Sequence, residues 1–230
     1  MNYIGIDPSL ISTALVVNGK IFNYCRENDA CGKTGFRKWY KMCEQYVNFR
    51  WITYREYKDY SEGELTKLKD YDLITDNIIK DILENIDITL PTKIGIEGYS
   101  FSSTAGDIID LVTYSTLLRK KLFDLVSEDI LVLSPSTLKQ LACKLTYKPI
   151  DIGKKKPKLE WRNNYGISGG KFTKTEMFLA IVENDSLNDD WAKHCKGIQT
   201  EMLENKKIAK PYEDSNDSFF IYHILKRNIK

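Results

Sequence analysis

Histidine is nearly absent from this chain: there are 2 in 230 residues. The five cysteines, Cys25, Cys31, Cys43, Cys143 and Cys195, are odd in number and scattered, with no C-x-x-C spacing. That pattern argues against a disulfide framework and against a structural zinc site. His194 beside Cys195 does not change this, because adjacent residues rarely chelate one metal and no second pair exists. Reduced thiols in a cytoplasmic compartment are the expectation. No apolar run approaches the length that spans a bilayer, and no basic and apolar leader precedes the first strand, so a soluble, unsecreted chain with no membrane partner is expected. Glycine-rich phosphate loops are also missing. Gly169-Gly170 is the one weak candidate, which disfavours an actin-like or sugar-kinase-like phosphotransferase.

Charge of one sign is not scarce, but it is unevenly placed. The net formal charge is +2. Residues 144–174 carry a local +7 and residues 33–58 a local +5, leaving about −10 elsewhere. A basic surface set against an acidic focus suits a protein that handles a polyanion through bound cations, although solvated lysine faces give the same totals.

At 42% hydrophobic residues the chain is long enough for one α/β domain with insertions. Residues 2–7, 11–18 and 20–25 read as an antiparallel meander, its second turn the hairpin signal Asn18-Gly19. Residues 28–58 lose periodicity and become aromatic and basic, which reads as an insertion. Ser61 with Glu64 has capping-box spacing, and Leu65, Leu68, Ile74, Ile78, Ile82 and Ile86 supply a stripe for one or two helices over about 61–86. Then come a strand ending IGIEG (94–98) and a helix over about 105–126, whose Ile108, Ile109, Leu111, Val112, Leu118, Leu122 and Phe123 are expected to face inward. Ile130–Leu133 is a second parallel strand, followed by Ser134-Pro135 as cap and first turn of a helix through Leu141. The stretch 147–170 reads as a basic loop. Helices over 173–184 and 214–227, with a polar linker between, close the chain.

Two strands end on acids in the same phase. Tyr3-Ile4-Gly5-Ile6-Asp7 and Lys93-Ile94-Gly95-Ile96-Glu97 are nearly the same phrase, and a lone carboxylate at a buried strand end needs a partner. The meander followed by a βαβ unit sets these strands side by side, and the crevice outside their carboxyl ends is the default ligand site. Asp214 and Asp217, three apart, are expected on the first turn of the last helix, where the macrodipole ordinarily explains acids. Four converging carboxylates suit a hard divalent cation held by oxygen alone. Two such ions, about 4 Å apart, orient water and stabilise the leaving oxygen in phosphodiester cleavage. In that reading Asp7 bridges both ions, Glu97 holds one and helps activate water, and Asp214 and Asp217 complete the other's shell.

The segments IGIDPSL, IGIEGYSF, LSPSTLKQ, GGKFTK and DSNDSFF occur in the order and setting of the RuvC-type Holliday-junction resolvases of the RNase H-like nuclease superfamily, which the chain resembles over about 1–25, 90–145 and 170–228. The resemblance implies an RNase H-like α/β fold: a mixed five-stranded sheet, antiparallel meander plus parallel strands, flanked by helices. It implies one domain over 1–230 with insertions at about 26–60 and 147–169. It implies a crossover-junction endodeoxyribonuclease that uses two Mg²⁺ ions, with Mn²⁺ able to substitute, on branched four-way DNA. Asp7, Glu97, Asp214 and Asp217 match the family's metal-binding acids. Lys139 and Lys174 match lysines near the DNA backbone, and Lys171, Arg119, Lys154, Lys155 and Lys156 are further candidates for DNA contact. Two departures stand out. Ser9 replaces the glycine that usually follows the proline of the first motif, and Tyr99 and Phe101 straddle the place of the aromatic wedge. A homodimer is implied, with the 105–126 helix as its contact, and a phage or other viral origin suits the insertion-bearing form. Terminase-like or flap cleavage and an inactive DNA-binding scaffold remain the alternatives, since fold does not fix substrate.

Overall fold

The computed structural model describes residues 1–27, 34–99, 105–153, 156–205 and 207–229, with backbone alone at 34–36 and 105–107. Phe101, Lys154, Lys155 and Cys31 lie outside the described residues.

Strands β1 (Asn2–Asp7), β2 (Ser12–Val17) and β3 (Lys20–Arg26) form the antiparallel meander. Its tight second turn places Asn18 at φ 49° and Gly19 at φ 90°, the left-handed pair that an Asn-Gly hairpin requires. Helix α1 (Thr34–Cys43) crosses over to β4 (Val47–Ile52), which pairs parallel to β3. Helix α2 (Tyr60–Leu83), capped by the Asp59 side chain, leads to β5 (Thr92–Glu97), parallel to β1. Helix α3 (Ala105–Leu125), β6 (Ile130–Leu133) and α4 (Pro135–Thr146) complete the βαβα run, with the Ser134 hydroxyl capping α4. A small hairpin of β7 (Pro149–Asp151) and β8 (Leu159–Trp161) and a 3₁₀ turn at Gly169–Lys171 precede α5 (Lys174–Val182), α6 (Asp190–Gly197), α7 (Gln199–Glu204) and α8 (Lys210–Lys226).

The main sheet runs β4-β3-β2-β1-β5-β6 with helices on both faces, a mixed α/β architecture with the expected meander beside parallel strands. It has one strand more than the five expected. β4 arises inside the aromatic-basic stretch, where Val47, Phe49 and Trp51 alternate with Asn48 and Arg50 and the Phe49 and Trp51 rings pack against Tyr40 of α1. The polar linker before the last helix holds α6 and α7, and α6 is capped by Asp189.

One core, on the α2 and α3 face, gathers Ile4, Ile6, Ile78, Ile82, Leu118 and Leu122. The opposite core gathers Phe178, Trp191, Tyr212, Phe220 and Ile221 around α8. Three residues of the expected inward stripe of α3 turn outward instead: Ile109, Val112 and Phe123 are exposed. So are Leu65 and Leu68 of α2. The two helices pack on each other as well as on the sheet, so each contributes only a narrow arc to the core.

α8 is buried on all sides from Asp214 to Ile224, its polar run Asp214–Ser218 included. It lies across β1, β2 and β5, close enough that side chains at Gly5 and Gly95 would collide with Ser218 and Ile221. This close seating carries carboxylates of α8 over the ends of β1 and β5.

Candidate metal centre

Asp7 closes β1 and Glu97 closes β5, one residue beyond the Ile6–Ile96 pair of the parallel ladder. Asp217 descends on them from α8. Each of the three offers an oxygen, and these oxygens lie within 4.8 Å of one another. Asp7 and Asp217 are buried and Glu97 is half-buried. A divalent ion with oxygen ligands at about 2.0–2.6 Å spans such separations, and buried hard carboxylates are its usual donors. The residues therefore fit Mg²⁺ or Mn²⁺ without histidine or cysteine.

The electrostatics carry the strain expected of a cation site. Burial, then the nearby Glu97 and Asp217 charges, push the Asp7 carboxyl well above its ordinary value of 3.8. Burial also raises Glu97, against the hydrogen bond it accepts from Asp7, and raises Asp217 against the pull of Lys174. Lys174, first residue of α5, donates to Asp217 Oδ2 and lies 3.4 Å from Glu213. Burial pushes its ammonium down, but Asp217, Asp7 and Glu213 outweigh this and raise it. α5 holds Lys174 at its start because Thr173 and Glu176 form a capping box there.

Asp214 is buried like Asp217 but does not belong to the close group. Its Oδ1 accepts from Lys210 Nζ at 3.1 Å, and burial raises its pKa against that lysine. Both aspartates also sit deeper in their helix than expected. α8 starts at Lys210 with Pro211 in the first turn, so Asp214 and Asp217 lie more than a turn inside and the macrodipole does not account for them.

The three acids open onto a cleft of about 950 Å³. Lys139 of α4 and Lys174 line the cleft with them. Arg26, Tyr54, Arg55 and Lys67 extend the wall away from them. Here Arg55 pairs with Asp70 at 2.7 Å, Lys67 with Asp110 at 3.0 Å, and the Arg26 guanidinium lies over the Tyr54 ring.

The other candidates are dispersed. Lys171 is exposed in the 3₁₀ turn, and Lys156 is exposed in the connection between β7 and β8. Tyr99 lies beside α3, its hydroxyl 3.3 Å from Thr116 Oγ1 and its ring under the Arg119 guanidinium. Neither Tyr99 nor Arg119 lines the acidic cleft.

Lys210, Glu213 and the Arg26–Tyr54–Arg55 wall were not found from sequence. Pro211 was the available signal for the first two, since a first-turn proline moves the helix start back and makes Lys210 and Asp214 an i, i+4 pair. No comparable signal marked the wall, which long-range folding assembles.

No protein-family model matches the chain, and no curated protein matches it. Among solved structures, the chain is similar to a Thermus thermophilus RuvC structure at 11% identity, over 100% of this chain and 98% of that chain, with a TM-score of 0.44.

Proposed function

We propose that the chain is a divalent-metal-dependent endodeoxyribonuclease that resolves four-way DNA junctions, with the whole of 1–230 as one nuclease domain. The observation that carries this reading is the convergence of Asp7, Glu97 and Asp217 within 4.8 Å at the floor of a cleft flanked by Lys139 and Lys174. Buried carboxylates with raised pKa values are poor neighbours unless a cation joins them.

A divalent ion such as Mg²⁺ or Mn²⁺ held by Asp7, Glu97 and Asp217 would supply Lewis-acid stabilisation and a nucleophilic water at neutral pH. The protein's own part is electrostatic and geometric. Asp7 and Glu97 are fixed by two paired strands, so their oxygens are preorganised. Lys139 and Lys174 present positive charge where a phosphate enters the cleft. Asp217, riding on α8, completes the donor set.

Paired symmetric cuts need two copies of the site, and a homodimer provides them. The exposed Ile109, Val112 and Phe123, on one side of α3, give that dimer an apolar face.

The test is cleavage of synthetic four-way, flap, linear-duplex and single-stranded DNA with Mg²⁺ or Mn²⁺, beside an Asp7→Asn variant. Paired nicks confined to the four-way substrate and lost in the variant support the reading. Cutting of flaps or linear DNA keeps the metal centre and replaces the substrate. No metal-dependent cutting of any substrate overturns the reading.

A further inference from the structure

The aromatic-basic stretch, which the metal centre does not use, folds into a groove of its own. Between α1 and the edge strand β4 opens a hollow of about 680 Å³. Arg37, Tyr40 and Lys41 of the helix and Phe49 and Trp51 of the strand line it. None of these residues lines the acidic cleft.

One wall of the hollow is an aromatic stack. Phe49 and Trp51 point to the same side of β4, their rings 5.5 Å apart and 20° from parallel. The Tyr40 ring lies 5.1 Å from Phe49 and 5.4 Å from Trp51. Tyr40 is buried, but Trp51 is 44% exposed. A lone exposed tryptophan is ordinary on a protein surface, whereas one that belongs to an aromatic stack inside a basic hollow is a platform for one more ring. Arg37 and Lys41, four residues apart, are exposed on one face of α1 and present positive charge beside it. Glu44 and the pairing of Arg50 with Asp81 at 2.9 Å cancel part of the charge here, and the balance stays positive.

The sheet brings this groove within reach of the acids. β4 runs parallel to β3, and the meander makes β3 parallel to β1, so all three strands end on the same edge of the sheet. The row of paired residues that begins at Asp7 runs through Ala14 and Asn23 to Phe49, and residues paired in a row share a sheet face. Phe49 therefore stands on the same face as Asp7, three strands away, about 14 Å at the usual strand spacing. Trp51 shares this face, two residues nearer the carboxyl edge.

We propose that the groove between α1 and β4 is a second nucleic-acid site, which holds an unpaired DNA strand with a base stacked on Trp51 and phosphates beside Arg37 and Lys41. A duplex keeps its bases stacked on one another and offers none to Trp51, so the groove selects single strands. It does so without regard to sequence, because every base has a π-face. The choice of DNA as the polyanion rests on the nuclease reading, but the site itself uses neither the metal nor the residues of the cleft.

The full-length chain is titrated in EDTA, so that no cleavage intervenes, with an oligothymidylate of about 12 nucleotides, within the usual range of single-strand sites. Binding is followed by tryptophan emission and by the anisotropy of a labelled strand. Trp51 is the most exposed of the four tryptophans, so its emission is the one a stacked base quenches. The expected result is quenching in the wild type, and no quenching but a nearly unchanged affinity in Trp51→Phe, which still stacks. Trp51→Ala is expected to bind about fivefold or more weakly, and Lys41→Ala to lower the slope of log affinity against log salt by about 0.7. Circular dichroism checks that each variant is folded, and if Trp51→Ala is not, the quenching lost in Trp51→Phe and the slope of Lys41→Ala decide. Unquenched emission at saturating strand, an unchanged affinity in a folded Trp51→Ala, or an unchanged slope in Lys41→Ala overturns the proposal. Quenching of equal size by the matching duplex or by polyglutamate also overturns it, the second outcome making the groove a seat for acidic peptide. Cleavage with Mg²⁺ is assayed separately: its absence removes the nuclease reading, while the titration in EDTA decides the groove on its own.

Discussion

Gly5 and Ser218 touch where no side chain fits: a Cβ on Gly5 would lie 2.3 Å from the Ser218 carbonyl oxygen and 2.6 Å from the Tyr222 nitrogen. Ser218 follows Asp217, so this contact sets the height of Asp217 above Asp7. The repeated Ile-Gly-Ile of β1 and β5 is therefore the seat of α8 as well as the approach to two acids. Gly95 makes the matching contact with Ile221.

Gly5→Ala is expected to push α8 off the sheet. Overpacking of this kind costs about 1–3 kcal/mol, which in a chain of this size lowers the melting midpoint by roughly 2–12 °C. Mn²⁺ affinity falls with it, because Asp217 moves away from Asp7 and Glu97. Thermal melts and a Mn²⁺ titration of the same preparation check both effects. An unshifted midpoint with unchanged affinity contradicts the close seating.

Much of this arrangement was legible before the structure. Asp7 and Glu97 announced themselves because a period-2 apolar strand ending on an acid is a local pattern, and the meander followed by βαβ fixed their adjacency. Asp217 was legible by motif, but its burial was not, since burial depends on a helix start four residues earlier than the acids suggested. The outward turn of Ile109 and Phe123 was hidden for a similar reason. Apolar spacing reveals a stripe but not whether sheet, neighbouring helix or solvent covers it. The sixth strand did carry a period-2 signal, Val47, Phe49 and Trp51 alternating with Asn48 and Arg50, but the pattern is short and lies inside a long aromatic-basic stretch with no clear period.

The raised carboxyl values predict a pH dependence with a definite sign. An acid whose folded pKa lies above its unfolded value adds stability in full below the unfolded value, and that stability is lost as pH rises through the folded value. Asp7 is such a group, raised well above 3.8. Asp7→Asn is neutral at every pH, so its midpoint advantage over the metal-free wild type should open above pH 3.8, widen as pH rises, and level off past the folded value. Saturating Mg²⁺ reverses the ranking, because the wild type alone gains the bound ion. Paired melts across pH with EDTA or Mg²⁺ read this directly, and a pH-independent gap in EDTA contradicts the buried, coupled site.

Thr13 ties the loop after Asp7 to α3. Its hydroxyl donates to the Ser9 carbonyl at 2.8 Å, accepts from the Ser9 amide at 3.1 Å, and lies 2.8 Å from the buried Tyr114 hydroxyl. Thr13→Val leaves these groups unpaired and should cost about 1–3 kcal/mol. Tyr114→Phe removes one partner only and should cost less. Chemical denaturation of the two variants measures the order, and equal or negligible losses contradict a structural role for the hydroxyl.

Lys139 lines the same cleft as the acids and pulls Glu97 and Asp217 downward in pKa. If it meets a phosphate, Lys139→Ala weakens junction binding and lowers the slope of log affinity against log salt by about 1. Fluorescence anisotropy over a salt series, in Ca²⁺ to restrain cleavage, gives the slope. A weakened affinity with an unchanged slope places Lys139 off the DNA backbone.

The central claim is that Asp7, Glu97 and Asp217 together hold a divalent cation. Crystals of the wild type soaked in Mn²⁺ and measured at the manganese absorption edge test it most directly. An anomalous peak with oxygen ligands from all three side chains is the predicted result. An empty trio beside a peak elsewhere, or no peak at saturating Mn²⁺, contradicts it.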